Sequence, residues 1–491
     1  MTFTPTDEQL AIIEAAKSSS DNLLVSALAG AAKTSTLVLL AKVLPADQEI
    51  LCLAFNKKIA VEMAERLPPH CKAMTLNSLG HRTWGAAIGK RLKLNKSKTF
   101  ELMTAVVEEQ TRSDKTDLYN NFGELLRHVD FGKACGYVPT GTHPTAKPLM
   151  NDEEFFNHID EDLSPLEQQV IREVTLRGIK LSLSGEIDFN DQIFMPTIFH
   201  GAFPRYLTTL VDEAQDLSAL NHATLRKMCR GRRVIAVGDQ CQAIYGFRGA
   251  HEDGMGKLKQ DFSMREMTLS ISFRCPQAVV KEAQWRAPQM RWPDWAKPGE
   301  VTRLSHWSAF DLAEDAAILC RNNAPLFGIA IRLLRNGRTC ELDGKDIIRS
   351  ITKIMSKFGS SDMKQHEVMD RIDMWEAAQK EKTKRRAHSR IEDQAESMRI
   401  FAREGATLSD AIHYASHIAQ LHSPLKLMTG HKSKGLEFRN VYFLDEQLIS
   451  HEAQDPNVRY VIITRAQETL TYIRSEDFRN NETTLQNQQA A

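Results

Sequence analysis

No stretch of this 491-residue chain approaches ~18 uninterrupted apolar residues, the length a membrane-spanning helix needs. The opening residues, MTFTPTDEQLAII, are neither a basic nor an apolar leader. On this reading a membrane partner and an export signal are excluded, and a cytoplasmic location is expected. Charge of one sign is not in excess either: Lys+Arg and Asp+Glu both number 63. A uniformly basic nucleic-acid binder is thereby excluded, and any such surface must be a local groove. The eight cysteines include no C-x-x-C pair and no Cys/His cluster at zinc spacing. Reduced thiols are expected, not a disulfide framework or a metal site. No repeat of fixed period occurs.

What is present is a long chain with ordinary apolar (42%) and charged (26%) content, enough for two to four domains. Leu23–Leu28 reads as a buried strand, followed by a small-residue loop and an apolar helix from Ser35 to about Val43. Ile50–Phe55 reads as a second strand, followed by a helix from Lys57 to Arg66. This alternation predicts a parallel sheet. Between about Gly85 and Gly185 strand signals vanish and helical periodicity takes over. Strands resume at Leu207–Val211, Arg233–Val237, Met267–Ser270 and Ala316–Cys320. A second charged, strand-poor block follows, and then strands at Leu425–Met428, Val441–Leu444 and Thr469–Ile473. The fold class is therefore α/β, with two cores, each interrupted by a mainly helical insertion. The expected boundaries are 1–84 with 186–265 for the first core and 85–185 for its insertion. The second core is expected at 266–340 with 421–478, and its insertion, about 80 residues, at 341–420. The polar tail 479–491 is expected to be disordered.

Strand, loop and helix meet at ALAGAAKTS: Ala27, Leu28, Ala29, Gly30, Ala31, Ala32, Lys33, Thr34 and Ser35. Such a loop can turn backbone N–H groups toward a polyphosphate, with the helix dipole adding to the attraction. Lys33 would reach the terminal phosphates and the Thr34 hydroxyl would hold Mg²⁺. The phosphate-loop pattern G-x-x-x-x-G-K-[ST] is matched imperfectly, because Ala27 and Ala32 stand where glycine is usual. Taken alone, the segment reads equally as a small-residue turn packed in a core. The run Val211-Asp212-Glu213-Ala214-Gln215-Asp216, at the end of an apolar strand, separates these readings. Asp212 can complete a Mg²⁺ shell while Glu213 aligns and deprotonates an attacking water. Adjacent carboxylates at a strand end face opposite ways unless the chain turns there.

An ordered set of further segments extends the pattern. TPTDEQLAII (Thr4–Ile13), LAFNKKIAVEM (Leu53–Met63), TLNSLG (Thr75–Gly80) and IDFNDQIFMP (Ile187–Pro196) come first. VGDQCQAIYGFRGA (Val237–Ala250), SISFRCP (Ser270–Pro276) and AILCRNNAPL (Ala317–Leu326) follow. LMTGHKSKGLEFRNVYFLDE (Leu427–Glu446) and NVRYVIITRAQ (Asn457–Gln467) complete the series. Together with the phosphate loop and DEAQD, they resemble the motifs of UvrD/Rep-like superfamily 1 DNA helicases, in the family's order, from Thr4 to about Leu470. The resemblance implies two RecA-like motor domains. It also implies an ATP-dependent enzyme that moves on single-stranded DNA, with 3′→5′ polarity, and separates strands at single/double-strand junctions in replication, repair or recombination. ATP and Mg²⁺ are the implied ligands.

By the same resemblance Gln9 reads the adenine edge, Phe273 stacks on adenine and Glu437 meets the ribose. Gln242 senses the γ-phosphate, and Arg274 and Arg465 are arginine fingers, a device worth ~10³–10⁵ in rate. Single-strand contacts are implied for Phe55, Asn56, Lys57, Asn77, Ser78, Tyr245, Phe247, Arg248 and His431. Aromatic faces bind bases by stacking at roughly 1–3 kcal/mol each. Phe55 reads equally as core packing at a strand end, and His431 as a structural histidine. The basic run Lys380–Arg390 reads as a solvated helix face or a duplex patch. The two alanines in the phosphate loop predict weakened nucleotide binding at most, and the short second insertion leaves strand separation open. The 26 residues that follow Arg465 predict no C-terminal nuclease. The alternatives are a translocase without unwinding and a non-hydrolysing relative. Retention of Glu213, Gln242, Arg274 and Arg465 argues against the second.

Overall fold

A computed structural model describes residues 4–246, 253–451 and 454–480. It divides into two compact units. The first comprises Met1–Leu28 and Ala32–Leu269, the second Ala29–Ala31 and Ser270–Ala491.

The first unit is built on six strands: β1 (Leu23–Ala27), β2 (Ile50–Leu53), β3 (Cys71–Met74), β6 (Thr208–Val211), β7 (Arg233–Gly238) and β8 (Arg265–Leu269). Their order is β3-β2-β6-β7-β1-β8, and every pairing is parallel. Helices cover both faces of such a sheet, so its inner strands must be apolar throughout. β2 and β6 are buried at every position, and β1 at all but Ser26. A small two-stranded sheet joins β4 (Lys93–Leu94) to β5 (Glu186–Ile187).

Between those two short strands lie the helices Lys98–Glu108, Arg112–Asn120, Phe122–Cys135, Asp152–His158 and Pro165–Ser184. They enclose a core of their own, including Met103, Val106, Leu125, Val129, Phe155 and Val170. The last helix shows clear start and stop signals. Ser164 and Glu167 form a capping box, Pro165 occupies the first turn, and Gly185 closes the helix at φ +107°.

The second unit carries β9 (Glu300–Arg303), β10 (Ala317–Cys320), β11 (Glu341–Leu342), β12 (Lys426–Thr429), β13 (Phe438–Leu444) and β14 (Ala466–Ile473). These strands run in the order β11-β12-β10-β13-β14-β9, again all parallel. Within this unit the Phe273 amide donates to the Gly30 carbonyl (3.0 Å), and the Ala29 amide donates to the Tyr460 hydroxyl (3.1 Å). Gly30 sits at φ +74°, and an added Cβ would lie 2.7 Å from the Arg274 Cβ, so only glycine fits.

Three expected boundaries differ from the structure. The strand assigned to the second core, Met267–Ser270, is β8 and pairs with β1 in the first sheet. Apolar patterning marks a strand but not its partner, so the first unit extends past 265 to Leu269. Glu341–Leu342 was expected to open the second insertion and is instead an edge strand of the second sheet. The helices that follow (Lys345–Met355, Gln365–Glu381, His388–Ala402 and Leu408–Ile418) do not enclose a separate core. Their Ile348, Ile351, Met398 and Phe401 join one cluster with Ile318 and Leu427 of the sheet. Arg479 belongs to the folded part, its amide donating to the Trp307 carbonyl (2.8 Å). Residues 481–491 lie outside the described residues.

A buried charge cluster fastens the first unit's helical segment to the chain leaving it. Lys98 Nζ lies 2.5 Å from Asp191 Oδ2. Lys133 pairs with Asp188 and lies 3.0 Å from Asp191 Oδ1. All four side chains are almost wholly buried. Burial pushes the Asp191 carboxyl upward, but Lys133 and Lys98 outweigh it and hold it below the usual carboxylate range. Asp191→Asn should leave buried ammonium groups undercompensated and lower unfolding free energy by about 3–5 kcal/mol. Urea denaturation measures this, and a loss under ~1 kcal/mol would show that the cluster is not a structural clamp.

Candidate nucleotide site and strand groove

The candidate nucleotide site in the first unit is assembled from the ends of parallel strands. β1 ends at Ala27, and the helix Lys33–Val43 begins just beyond the loop. Ala32 precedes that helix in the left-handed region, at φ 57° and ψ 41°, with no side-chain cap. The first-turn N–H groups therefore remain available to an anion. An alanine in this conformation costs about 1 kcal/mol relative to glycine, the residue usual at this position of the phosphate-loop pattern.

From β6 the chain runs into Asp212, whose amide donates to the Leu53 carbonyl (3.0 Å). The turn required to bring the paired carboxylates together occurs at Glu213, which is left-handed at φ 49°. The Thr34 hydroxyl donates to Asp212 Oδ2 (3.2 Å), and the Glu213 amide to Asp212 Oδ1 (3.0 Å). Lys33 Nζ lies 3.7 Å from Glu213 Oε2. Burial, reinforced by the neighbouring Glu213 charge, pushes the Asp212 carboxyl up to about 7, and Lys33 offsets only part of this. Negative charge is thus undercompensated in a buried pocket of oxygen donors. That donor chemistry fits a hard divalent cation, with Asp212 and the Thr34 hydroxyl positioned to hold it.

Two residues that sequence reasoning left unassigned complete this cluster. Gln215 Nε2 donates to Glu213 Oε2 (2.5 Å), and Gln215 Oε1 accepts from the Asp239 amide (2.9 Å). Gln242 Nε2 donates to Asp239 Oδ2 (2.6 Å). Burial pushes the Asp239 carboxyl upward as well. Both residues lie inside segments already noted, DEAQD and VGDQ. What could have singled them out is the adjacency of β6 and β7, which places the two loops side by side.

The other expected nucleotide contacts are placed as follows. Gln9 is fully buried: its Oε1 accepts from the Thr6 amide and its Nε2 donates to Thr36 Oγ1, both at 3.0 Å. Ser35 Oγ accepts from Arg66 Nη2 (3.1 Å). In the second unit Arg274 Nε lies 2.7 Å from Glu437 Oε2, and Gln467 donates to the other Glu437 oxygen (2.9 Å). Arg465 is 1% exposed, with its guanidinium donating to the Val461 and Leu436 carbonyls, each at 2.9 Å. The Phe273 ring faces Trp295, with centroids 6.3 Å apart.

A groove in the first unit brings together Phe55, Asn77 and Tyr245, with Asn190 and Ser218 beside them. Phe55 is 47% exposed and its ring is within 5° of parallel to that of Tyr245, at 6.4 Å, so it is not core packing. Asn56 does not offer its side chain freely: Oδ1 accepts from the Ile59 amide (2.9 Å) and caps the helix Lys57–Arg66. Lys57 is exposed, Ser78 half-buried, and Asn77 Nδ2 donates to the Phe189 carbonyl (2.8 Å). Phe189, 55% exposed, is a groove neighbour that sequence reasoning missed. An aromatic between the buried Asp188 and Asp191 was the available signal. His431 lies half-buried in the short helix Gly430–Ser433 of the second unit. Phe247 and Arg248 lie outside the described residues. Among the described residues no helix is long and apolar enough to cross a membrane, and all eight cysteines are free thiols.

The left-handed alanine generates a test. Ala32→Gly should hold or raise stability by up to about 1 kcal/mol, whereas Ala32→Val should lower it by more than that. Urea midpoints decide, and a Gly variant destabilised beyond ~1 kcal/mol would contradict the backbone assignment.

The chain is 26% identical over 297 residues to F-box DNA helicase protein 1 of Schizosaccharomyces pombe, covering 57% of this chain and 32% of that protein. It is 27% identical over 289 residues to DNA helicase II of Haemophilus influenzae, covering 53% and 38%. It is 23% identical over 316 residues to ATP-dependent DNA helicase PcrA of Leuconostoc citreum, covering 59% and 41%. The chain thus spans well under half the length of these relatives. A solved structure of the PRRSV helicase aligns with a TM-score of 0.33 at 11% identity, over 96% of this chain and 56% of that one, too weak a likeness to bear on the fold. The model of the UvrD/REP helicase N-terminal domain matches residues 6–263, more than half of the chain. With two parallel α/β sheets of the RecA-like kind and the Lys33, Thr34, Asp212 and Glu213 side chains converging at one strand edge, the chain belongs to the UvrD/Rep helicase family.

Proposed function

We propose that this protein is an ATP-dependent DNA helicase that moves along single-stranded DNA in the 3′→5′ direction. The observation that carries this is the convergence of Lys33, Thr34, Asp212 and Glu213 in one unit that also holds an exposed aromatic groove. Lys33 and the helix N-terminus bind the triphosphate. Asp212 and Thr34 hold Mg²⁺, which when bound polarises the phosphoryl oxygens. Glu213, oriented by Gln215, accepts the proton of the attacking water. Gln242 reports the γ-phosphate to the Asp239 loop. Arg274 and Arg465 supply guanidinium charge to the phosphoryl group in flight. Gln9 and Glu437 are assigned to the adenine edge and the ribose.

The track is a single strand stacked on Phe55 and Tyr245, with Asn77, Ser78, Lys57 and Phe189 along its path, and with Asn56, Phe247, Arg248 and His431 as further contacts. The two α/β units act as motor domains, and the helical segments at 85–185 and 341–420 contact the junction. Replication, repair or recombination, in the cytoplasm of a bacterium or phage-infected cell, is the setting this activity serves.

ATP hydrolysis is expected to rise with single-stranded DNA, with displacement of 3′-tailed but not 5′-tailed duplexes. No stimulation by DNA would sink the motor reading, and stimulation without displacement would indicate a translocase. Glu213→Gln should lower kcat by about 10²–10⁴ while leaving DNA affinity unchanged; near-normal turnover would remove Glu213 as the base. Phe55→Ala should weaken binding of an oligo-dT by about 1–3 kcal/mol. Fluorescence anisotropy measures this, and unchanged affinity would take Phe55 off the track.

A further inference from the structure

The turn that joins the helices Asp152–His158 and Pro165–Ser184 of the first unit includes Ile159-Asp160-Glu161-Asp162-Leu163, an acidic run between two apolar residues. Ile159 is buried in the core of the helical segment and Leu163 packs against that core, so the turn is anchored on both sides of its acids. The neighbouring His158 stacks on Phe131 of the helix Phe122–Cys135, with ring centroids 5.9 Å apart. These contacts hold the turn against that helix.

Glu124 and His128 belong to the same helix. Four residues apart, they stand one turn above the other on a single face. Leu125 and Val129, next to them in sequence, are buried in the same core and fix the rotation of the helix. His128 is 7% exposed, and Glu124 and Glu161 are half-buried. His128 Nε2 lies 3.5 Å from Glu161 Oε2. One ligand atom from each of the three side chains lies within 4.8 Å of the other two. Around a tetrahedral ion with ligand bonds of about 2.1 Å, donor atoms stand about 3.4 Å apart. The His128–Glu161 pair already has that spacing, and a small change of rotamer brings Glu124 to it. Glu124 also pairs with Arg127. The Arg127 side chain is 51% exposed, and an exposed pair of this kind holds the carboxylate only weakly.

We propose that Glu124, His128 and Glu161 bind a divalent transition-metal ion of the zinc class, which ties the helix Phe122–Cys135 to the turn before Pro165. An imidazole nitrogen with two carboxylates suits Zn²⁺, Co²⁺ or Ni²⁺, whereas Mg²⁺ and Ca²⁺ favour oxygen alone. The site is therefore chemically distinct from the carboxylate cluster at Asp212, and it needs no cysteine. Three protein ligands leave a fourth position for water. Asp160 and Asp162 add negative charge that draws a cation to the turn.

Cobalt titration of the full chain, with Mg²⁺ in excess, tests the site. One Co²⁺ per chain should bind, with d–d absorption but no thiolate charge-transfer absorption, and should raise the thermal midpoint. His128→Ala and Glu161→Gln should each raise the Kd at least about tenfold. Glu161→Gln keeps the size of the side chain, so its circular dichroism should match that of the unaltered chain. Arg127→Ala removes the competing guanidinium and should leave the Kd unchanged or lower it. The site is overturned by absence of Co²⁺ binding, by thiolate absorption, by unchanged affinity in Glu161→Gln, or by weaker binding in Arg127→Ala.

Discussion

Every strand pairing in the first sheet is parallel, and the geometry of the site depends on that constraint. Parallel strands bring all their carboxyl ends to one edge. The phosphate loop after β1, Phe55 after β2, the carboxylates after β6 and Asp239 after β7 are thereby neighbours, although more than two hundred residues separate the first from the last. An antiparallel arrangement of the same strands would divide these groups between two edges.

The electrostatics of that edge follow from its burial. Asp212 is buried and has a second carboxylate next to it, so its charged form is disfavoured. Lys33 alone does not balance the pair. The left-handed turn at Glu213 is what places both carboxylates on the same site. Gln215 then links Glu213 to the Asp239 loop by direct hydrogen bonds. The Lys98, Lys133, Asp188 and Asp191 cluster is the counterexample: there two ammonium groups balance two carboxylates, and burial serves as a clamp.

The sequence by itself determined the α/β class and the helical character of 85–185, and it singled out Lys33, Thr34, Asp212 and Glu213, which the structure brings together. The reason is local: apolar runs, cap residues and motif spacing are properties of short segments. It also named Phe55 and Tyr245, but could not separate an exposed Phe55 from a buried one, because a strand end looks the same in both cases. Tertiary structure alone decided that question, along with the partner of β8, the edge position of β11 and the merging of the second helical segment's core with the sheet. It alone revealed Gln215, Asp239 and the Phe273–Trp295 pair. Each of these depends on which strand or loop lies beside which, a long-range choice made by burying apolar faces together, and no local pattern carries it.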